Sequence, residues 1–235
     1  MNEKELVAHH AASLVQDGML VGLGTGSTAN YFISELARRH RQEGLQVTVA
    51  ASSTVSTIKA QEAGLPLVAL EHLTRLDLYV DGADEVTPDL TLLKGRGYDL
   101  VREKLLARAS DSFLVLVDTS KLVDRIGARF PIPVEVMPFA WQLVKRRLES
   151  IGGSGNLRQT ANQDGLVVTS HGSLVLDMAF DPALETAALN AFLNDTPGVV
   201  EHGIFRGLAS AVFVGADGKV QEHWAEQPTA ATING

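Results

Sequence analysis

Short apolar runs alternate with stretches of helical periodicity through the first half of this chain. Leu6, Val7, Ala11, Leu14 and Val15 recur at a helical period within residues 2–17, Asn2 and Glu5 have the spacing of a capping box, and Gly18 stops the run. Residues 19–23 then read as a buried parallel strand. The turn Gly22-Leu23-Gly24-Thr25-Gly26-Ser27-Thr28 leads into a helix with Ile33, Leu36 and Ala37 on its inner face. The same pattern predicts strands at 45–50, 65–70, 76–80 and 113–117, a helix over 54–63, and another helix after residue 97 with Leu100, Leu105 and Leu106 as its apolar positions. Strands and helices that alternate across short glycine-marked turns predict an α/β fold with a doubly wound, mostly parallel, Rossmann-like sheet.

The pattern changes at Arg129-Phe130-Pro131-Ile132-Pro133-Val134, where two prolines in three residues force an extended connection and remove two ladder donors. We place a domain boundary there, with residues 1–130 and 206–235 in the Rossmann-like domain and 131–205 in a small α+β domain. Pro138 suits the first turn of a helix that runs to about residue 150. Gly152-Gly153-Ser154-Gly155 and Asp164-Gly165 then punctuate short strands at 155–159, 166–170 and 173–178. Asp181-Pro182 opens a helix to residue 193, and 197–201 returns as a strand. That order fits a ferredoxin-like unit. Residues 209–214 form a last strand that rejoins the first domain, and the polar, aperiodic residues from Glu222 read as a loose tail.

At 235 residues and 45% hydrophobic content the chain can bury a sizeable core. It has no cysteine, so neither a disulfide framework nor a thiolate zinc site is available. The charged N-terminal stretch lacks a signal-like apolar core, and no apolar run approaches the roughly 18 residues of a membrane span. A soluble, cytoplasmic protein without a membrane partner is expected. The net charge is −8 and the basic residues are dispersed, which argues against nucleic acid as a partner. A small phosphorylated ligand needs only one or two cations and a few N–H donors.

Chemistry-bearing side chains concentrate between residues 80 and 107. Asp81, Asp84, Glu85, Lys94, Arg96, Arg102, Glu103 and Lys104 surround three glycines immediately after an apolar strand. Carboxylates beyond the end of a buried strand sit where open α/β sheets bind ligands. Lys94-Gly95-Arg96-Gly97 leads into a helix with Glu103 one turn in, and the N–H groups near a helix start favour an anionic oxygen that Glu103 can face. A charged surface loop followed by an amphipathic helix is the bland alternative. Asp84 has its own, an Asx turn closing the Gly82 loop.

The turn at 24–29 also satisfies the G-x-G-x-x-A dinucleotide fingerprint. A dinucleotide site wants an acid at the end of the next strand, and here that strand ends in Ala51-Ser52-Ser53-Thr54. No Gly-Lys-[Ser/Thr] follows, which excludes a P-loop. A monophosphate or sugar cradle built from backbone N–H groups and the Thr25, Ser27 and Thr28 hydroxyls fits better. Histidines at 9, 10, 40, 72, 171, 202 and 223 show no metal-ligand spacing, His9-His10 reads as a helix surface pair, and no G-x-S-x-G elbow occurs. What remains is equipment for proton abstraction beside a carbonyl, with one carboxylate moving the proton and cations holding the negative oxygen.

These segments resemble the ribose-5-phosphate isomerase A family. DGADE stands at 81–85, KGRG at 94–97 and REK at 102–104, flanked in order by GTGST at 24–28, a Ser/Thr segment at 52–57, SKLV at 120–123, FPIPVEV at 130–136 and PGVVEHGIF at 197–205. The resemblance implies an aldose–ketose isomerase that interconverts ribose 5-phosphate and ribulose 5-phosphate through an enediolate, with no cofactor and no metal, as a homodimer or dimer of dimers. It implies Glu103 as the general base, with Asp81 and Asp84 assisting ring opening and binding hydroxyls and Lys94 beside the oxyanion. Thr25, Gly26, Ser27 and Thr28, the loops Asp81-Gly82-Ala83-Asp84 and Lys94-Gly95-Arg96-Gly97, and Lys121 would bind substrate, with Lys4 near the phosphate. Two departures stand out. Arg96, Tyr98 and Asp99 replace small residues, which would strain the backbone if position 96 needs positive φ. The family's TDNGN turn is TSHGS at 169–173, expected to lie away from the chemistry. A sugar-phosphate sensing module and an isomerase of another phosphosugar are the alternatives.

Overall fold

The structure, a computed structural model, describes residues 2–97 and 99–226. In chain order its first elements are α1 (Glu3–Ser13), β1 (Leu20–Leu23), α2 (Ser27–Glu43), β2 (Thr48–Ala51), α3 (Thr54–Glu62), β3 (Leu76–Asp81), β4 (Glu85–Val86), β5 (Leu92–Leu93), α4 (Leu100–Ala109) and β6 (Ser110–Asp118). After these come β7 (Ile132–Val136), α5 (Trp141–Glu149), β8 (Ser154–Leu157), β9 (Leu174–Ala179), α6 (Thr186–Asn194), β10 (Val199–His202), β11 (Ile204–Phe205), β12 (Ala211–Ala216) and β13 (Lys219–Trp224). The chain divides into two compact units, one of residues up to Ala83, Arg102–Leu122 and from Gly207 onward, the other of Asp84–Val101 and Val123–Arg206.

The first unit is built on a six-stranded sheet in the order β2-β1-β3-β6-β12-β13, parallel except for β13. Its inner strands β1, β3, β6 and β12 are apolar on both faces over their buried stretches, whereas the edge strand β13 is polar and mostly exposed. Leu78, Val80, Leu114 and Leu116 pack with α1 and α2 residues in one cluster, while Tyr79 and Phe113, of opposite parity, are also buried and stack at 4.8 Å. Burial on both faces is why these strands read as continuous apolar runs. In α2 the buried residues Ala29, Phe32, Ile33, Leu36 and Ala37 follow the i, i+3, i+4 spacing of one helix face, and Gly44 ends the helix in the left-handed conformation. Asn2 caps α1 by accepting from the Glu5 N–H.

Two readings of this unit change. Residues 65–70 form no strand; Leu67 makes a single parallel bridge to Val49, and a 3₁₀ turn follows at Leu70–His72. The first residues of the expected tail, 222–224, are instead part of β13, which pairs with β12 from Ala216↔Lys219 to Ala211↔Trp224. Asp217 and Gly218, both at positive φ, make the tight turn whose twist suits a two-residue hairpin. His10 on α1 meets Glu222 at 2.6 Å and His9 lies 3.7 Å from Glu35, so this histidine pair has acid partners. Residues 227–235 lie outside the described residues.

The second unit holds a four-stranded antiparallel sheet in the order β10-β7-β9-β8 with α5 and α6. Its β-α-β-β-α-β succession and order are those of a ferredoxin-like unit, and its core joins Val134, Val144, Leu148, Leu176 and Leu193. The proline-containing stretch expected to be a connection is central strand β7. Pro133 is tolerated near the start of β7, where β10 pairs only from Val134 onward and the Gly203 N–H uses the Pro133 carbonyl. Residues 166–170 make isolated bridges rather than a strand. Residues 84–101 and 123–130, read with the first domain, fall in the second unit. There β4, β5 and β11 form a small sheet, and the buried Glu85 carboxylate accepts the N–H groups of Gly127, Arg129 and Phe130 at 2.6–3.0 Å.

Candidate active site

In the first unit the chain leaves β1 for β2 on one side and later adds β3 on the other, so the carboxyl ends of β1 and β3 mark the switch point where such sheets take ligands. Gly24 follows β1 and Asp81 ends β3. A Cβ on Gly24 would stand 2.1 Å from Asp81 Oδ1 and 2.6 Å from its Cα, so only glycine allows this approach. Asp81, 1% exposed, accepts from the Thr25 and Gly82 N–H groups through Oδ1 at 3.1 and 2.8 Å, and from the Tyr79 hydroxyl through Oδ2 at 2.5 Å. The acid thus ties the β1 turn to its own strand.

The Thr25 hydroxyl sits among three serines, Ser52, Ser53 and Ser56, at 2.7–3.0 Å, and Ser56 donates to the Gly24 carbonyl at 2.6 Å. Ser53 also caps α3. This hydroxyl network occupies the place where a dinucleotide-binding sheet would carry its ribose-binding acid. Gly26 begins α2 at φ 116°, and Ser27, which is exposed, accepts from Lys4 Nζ at 3.0 Å. A lysine and the start of a 17-residue helix therefore meet at one turn, a combination suited to a phosphate. Thr28 lies in the first turn of α2, and Lys121, half-buried, closes the 3₁₀ turn that follows β6, beside β3 in the sheet.

Glu103 lies in the first turn of α4 and is buried. Its charge reaches Tyr79. Burial pushes the Tyr79 phenol well above its ordinary value, the charges of Asp81 and Glu103 push it further, and a Ser52 hydrogen bond opposes them. Tyr79 at this edge therefore keeps its proton and donates it to Asp81.

The remaining candidates belong to the second unit. Lys94 is buried, bonds the Gly203 carbonyl through its N–H at 2.9 Å, and stands over the Phe205 ring. Gly95 has φ 91°, and a Cβ there would meet Leu100 at 2.7 Å. Arg96 stacks on Phe130 at 3.9 Å from the ring centroid and lies 3.9 Å from Asp84 Oδ1. Among the described residues the positive-φ non-glycine positions are Leu90, Gln163 and Asp217, so Arg96 carries no such strain. Tyr98 lies outside the described residues.

The TSHGS turn is not remote from this loop, contrary to expectation. Ser170 Oγ donates to Asp99 Oδ1 at 2.5 Å, next to the loop's end, and Thr169 Oγ1 donates to the buried Glu135 at 2.8 Å. Burial holds the Glu135 carboxyl above its ordinary value near 4.5, opposed by the Thr169 and Ser173 hydroxyls and His171 and assisted by Asp99; its Oε2 has no hydrogen-bond partner. A raised folded-state value stabilises fully below the unfolded value and is lost as pH climbs through the folded one. From about pH 4.5 upward, wild type should therefore lose melting temperature relative to Glu135→Gln, which cannot ionise. Parallel melting curves across that range would remove Glu135 as the cause.

Thr25 to Thr28, Asp81 to Ala83 and Lys121 share one sheet edge, Glu103 belongs to the same unit on α4, and Asp84 and residues 94–97 share the second unit's loop region. The sequence marks Ser52, Ser53 and Ser56 only as part of a Ser/Thr segment and Tyr79 only as part of an apolar strand. The polar tyrosine inside an apolar strand was the available signal. Among the described residues no group of three or more His, Asp or Glu side chains is placed to hold a metal ion, and no helix is long and apolar enough to cross a membrane.

Proton transfer on a small phosphorylated sugar is the work such a sheet edge is equipped for, which is the class of the sugar isomerases. Residues 48–219 match the family described as ribose 5-phosphate isomerase A (phosphoriboisomerase A). The ribose-5-phosphate isomerase A of Methanothermobacter thermautotrophicus is 50% identical over 92% of this chain and 94% of its own length. The structure of the Methanocaldococcus jannaschii ribose 5-phosphate isomerase A superposes with a TM-score of 0.89 at 40% identity, covering 94% of this chain and 98% of that one. A D-ribose-5-phosphate isomerase in complex with phospho-erythronic acid gives 0.91 at 36% identity, covering 95% and 100%. The chain belongs to the ribose 5-phosphate isomerase A family.

Proposed function

We propose that the protein interconverts ribose 5-phosphate and ribulose 5-phosphate, with Glu103 carrying a proton between C2 and C1 of the open-chain sugar. Reactant and product are isomers, so the reaction needs no external electron acceptor. Removal of the C2 proton yields an enediolate. Return of a proton to C1, with loss of the O2 proton and gain of one at O1, completes the ketose. Lys94 holds the oxygen that becomes negative, and Asp81 and Asp84 open the ring and bind hydroxyls. Lys4 and the N–H groups at the start of α2 hold the phosphate, and Lys121 also binds substrate.

The observation that carries this reading is the burial of Glu103 in the first turn of α4, in the same unit as the Tyr79–Asp81 pair. A carboxylate shielded from water and set beside a donor network is what a base for a weakly acidic C–H requires. With ribose 5-phosphate the protein should form ribulose 5-phosphate, and unphosphorylated ribose should be a much poorer substrate because it forgoes the phosphate contacts. Tight binding of ribose 5-phosphate without product would make the chain a sensor. Preferential turnover of another phosphosugar would reassign its substrate.

A further inference from the structure

Arg158 follows β8 and has no part in the chemistry described so far, yet its side chain makes five hydrogen bonds among the described residues. Its Nε and Nη2 bind both Asp177 carboxylate oxygens, at 2.8 and 2.6 Å. Its Nη1 meets the carbonyls of Gly95, Arg96 and Gly97 at 3.2, 3.3 and 3.0 Å. All these residues belong to the second unit. Asp177 lies on β9 between β7 and β8, so the strut is anchored in the ferredoxin-like sheet. Only the planar fork of arginine can clasp a carboxylate with two atoms while a third gathers carbonyls.

The consequence follows from peptide geometry. In a trans peptide the C=O and N–H point in opposite directions. Drawing the Gly95 and Arg96 carbonyls to Arg158 turns the N–H groups of Arg96 and Gly97 the other way. Consecutive N–H groups facing one direction form an anion-binding concavity, here in the loop that begins with Lys94. Gly95, at φ 91°, supplies the bend.

We propose that Arg158, fixed by Asp177, is a positioning residue for the isomerase reaction. By holding three loop carbonyls it presents the Arg96 and Gly97 N–H groups, with Lys94, to the oxygen that becomes negative in the enediolate. The proposal rests on the isomerase reading above. It explains why this loop tolerates Arg96, since the contacts to Arg158 are made by backbone whatever the side chain.

The test compares Arg158→Met and Arg158→Lys with wild type on ribose 5-phosphate. Donors aimed at charge that develops only in the transition state change kcat and leave KM. Both variants should lose roughly tenfold to a hundredfold in kcat with KM within about threefold, because misplaced oxyanion donors cost on that order. Arg158→Lys keeps the stem and the cation and so preserves the fold; an ammonium cannot hold Asp177 and three carbonyls together. Exchange of the substrate C2 hydrogen with deuterium from solvent should slow in parallel. Phospho-erythronic acid, whose carboxylate imitates the enediolate oxygens, should bind the variants at least tenfold more weakly. If wild type does not isomerise ribose 5-phosphate, the functional reading fails. If wild type is active and Arg158→Lys, assayed below its melting transition, keeps kcat within threefold or shifts KM alone, the positioning role is overturned.

Discussion

Glu103→Gln is expected to lower turnover of ribose 5-phosphate by roughly 10²–10⁴, the contribution usually made by a positioned general base. Glutamine has nearly the same shape, so the buried side chain on α4 is replaced without opening a cavity. It cannot accept a proton from carbon, which is the property the reaction requires. The melting temperature should stay within a few degrees of wild type, because the change removes a buried charge and keeps the packing. KM should move little, since a base acts on the proton in transit more than on the bound sugar. Exchange of the substrate C2 hydrogen with solvent deuterium should slow by a similar factor, because both need the C2 proton removed. Turnover within fivefold of wild type would take Glu103 out of the role and leave Asp81 or Asp84 to be tested next.

The elements that could be read along the chain are those whose burial is written locally. Strand β3 announces itself because it is apolar on both faces and ends at Gly82; helix α2 does so because one face carries Ala29, Phe32, Ile33, Leu36 and Ala37. The misread elements are those specified by a distant partner or by turn chemistry. Strand β13 is polar and exposed, with no periodic signal, and it exists because Asp217-Gly218 folds it back onto β12. That dipeptide was visible and outweighs the lack of apolar alternation. Strand β7 was hidden by Pro131 and Pro133, whose missing donors matter only where a neighbour needs them. Two-residue ladders such as β4 and β5 are too short for any periodicity to show.

The candidate site shows the same division. Acidic residues after a strand and glycines before a helix are local facts, and they located the Asp81 edge and the Lys94 loop. Which carboxylate does structural work is not local. Glu85, next to Asp84 in one motif, spends both oxygens on the N–H groups of residues some 40 positions away, while Asp81 ties a turn to a strand. The link from the TSHGS turn to the end of the Lys94 loop likewise rests on Ser170–Asp99, and the loop's anchor on Arg158, contacts that span 61 to 71 residues. Both places where the chain departs from the family pattern thus meet in one hydrogen bond, Ser170 to Asp99, which ties the two substitutions together physically.

Gly24→Ala tests whether that architecture matters to the chemistry. The added methyl would fall 2.1 Å from Asp81 Oδ1 and 2.6 Å from the Asp81 Cα, and the second of these is backbone that cannot swing aside. Either the β1 turn or the end of β3 must move. Forced repacking of this kind costs about 1–3 kcal/mol, which for a chain of this size lowers the melting temperature by roughly 4–8 °C at the middle of that range. The larger effect is expected in turnover. Asp81 is held at once by the Thr25 and Gly82 N–H groups and the Tyr79 hydroxyl, so its displacement carries the Thr25 turn and the Tyr79 donor with it. A shift near 1 Å in such a group costs on the order of 10² in rate. Measured below the melting transition, kcat should therefore fall far more than stability does. A G24A protein with wild-type kcat and melting temperature would show that the close approach of turn and acid is incidental, and Asp81 would lose its claim to a place in the reaction.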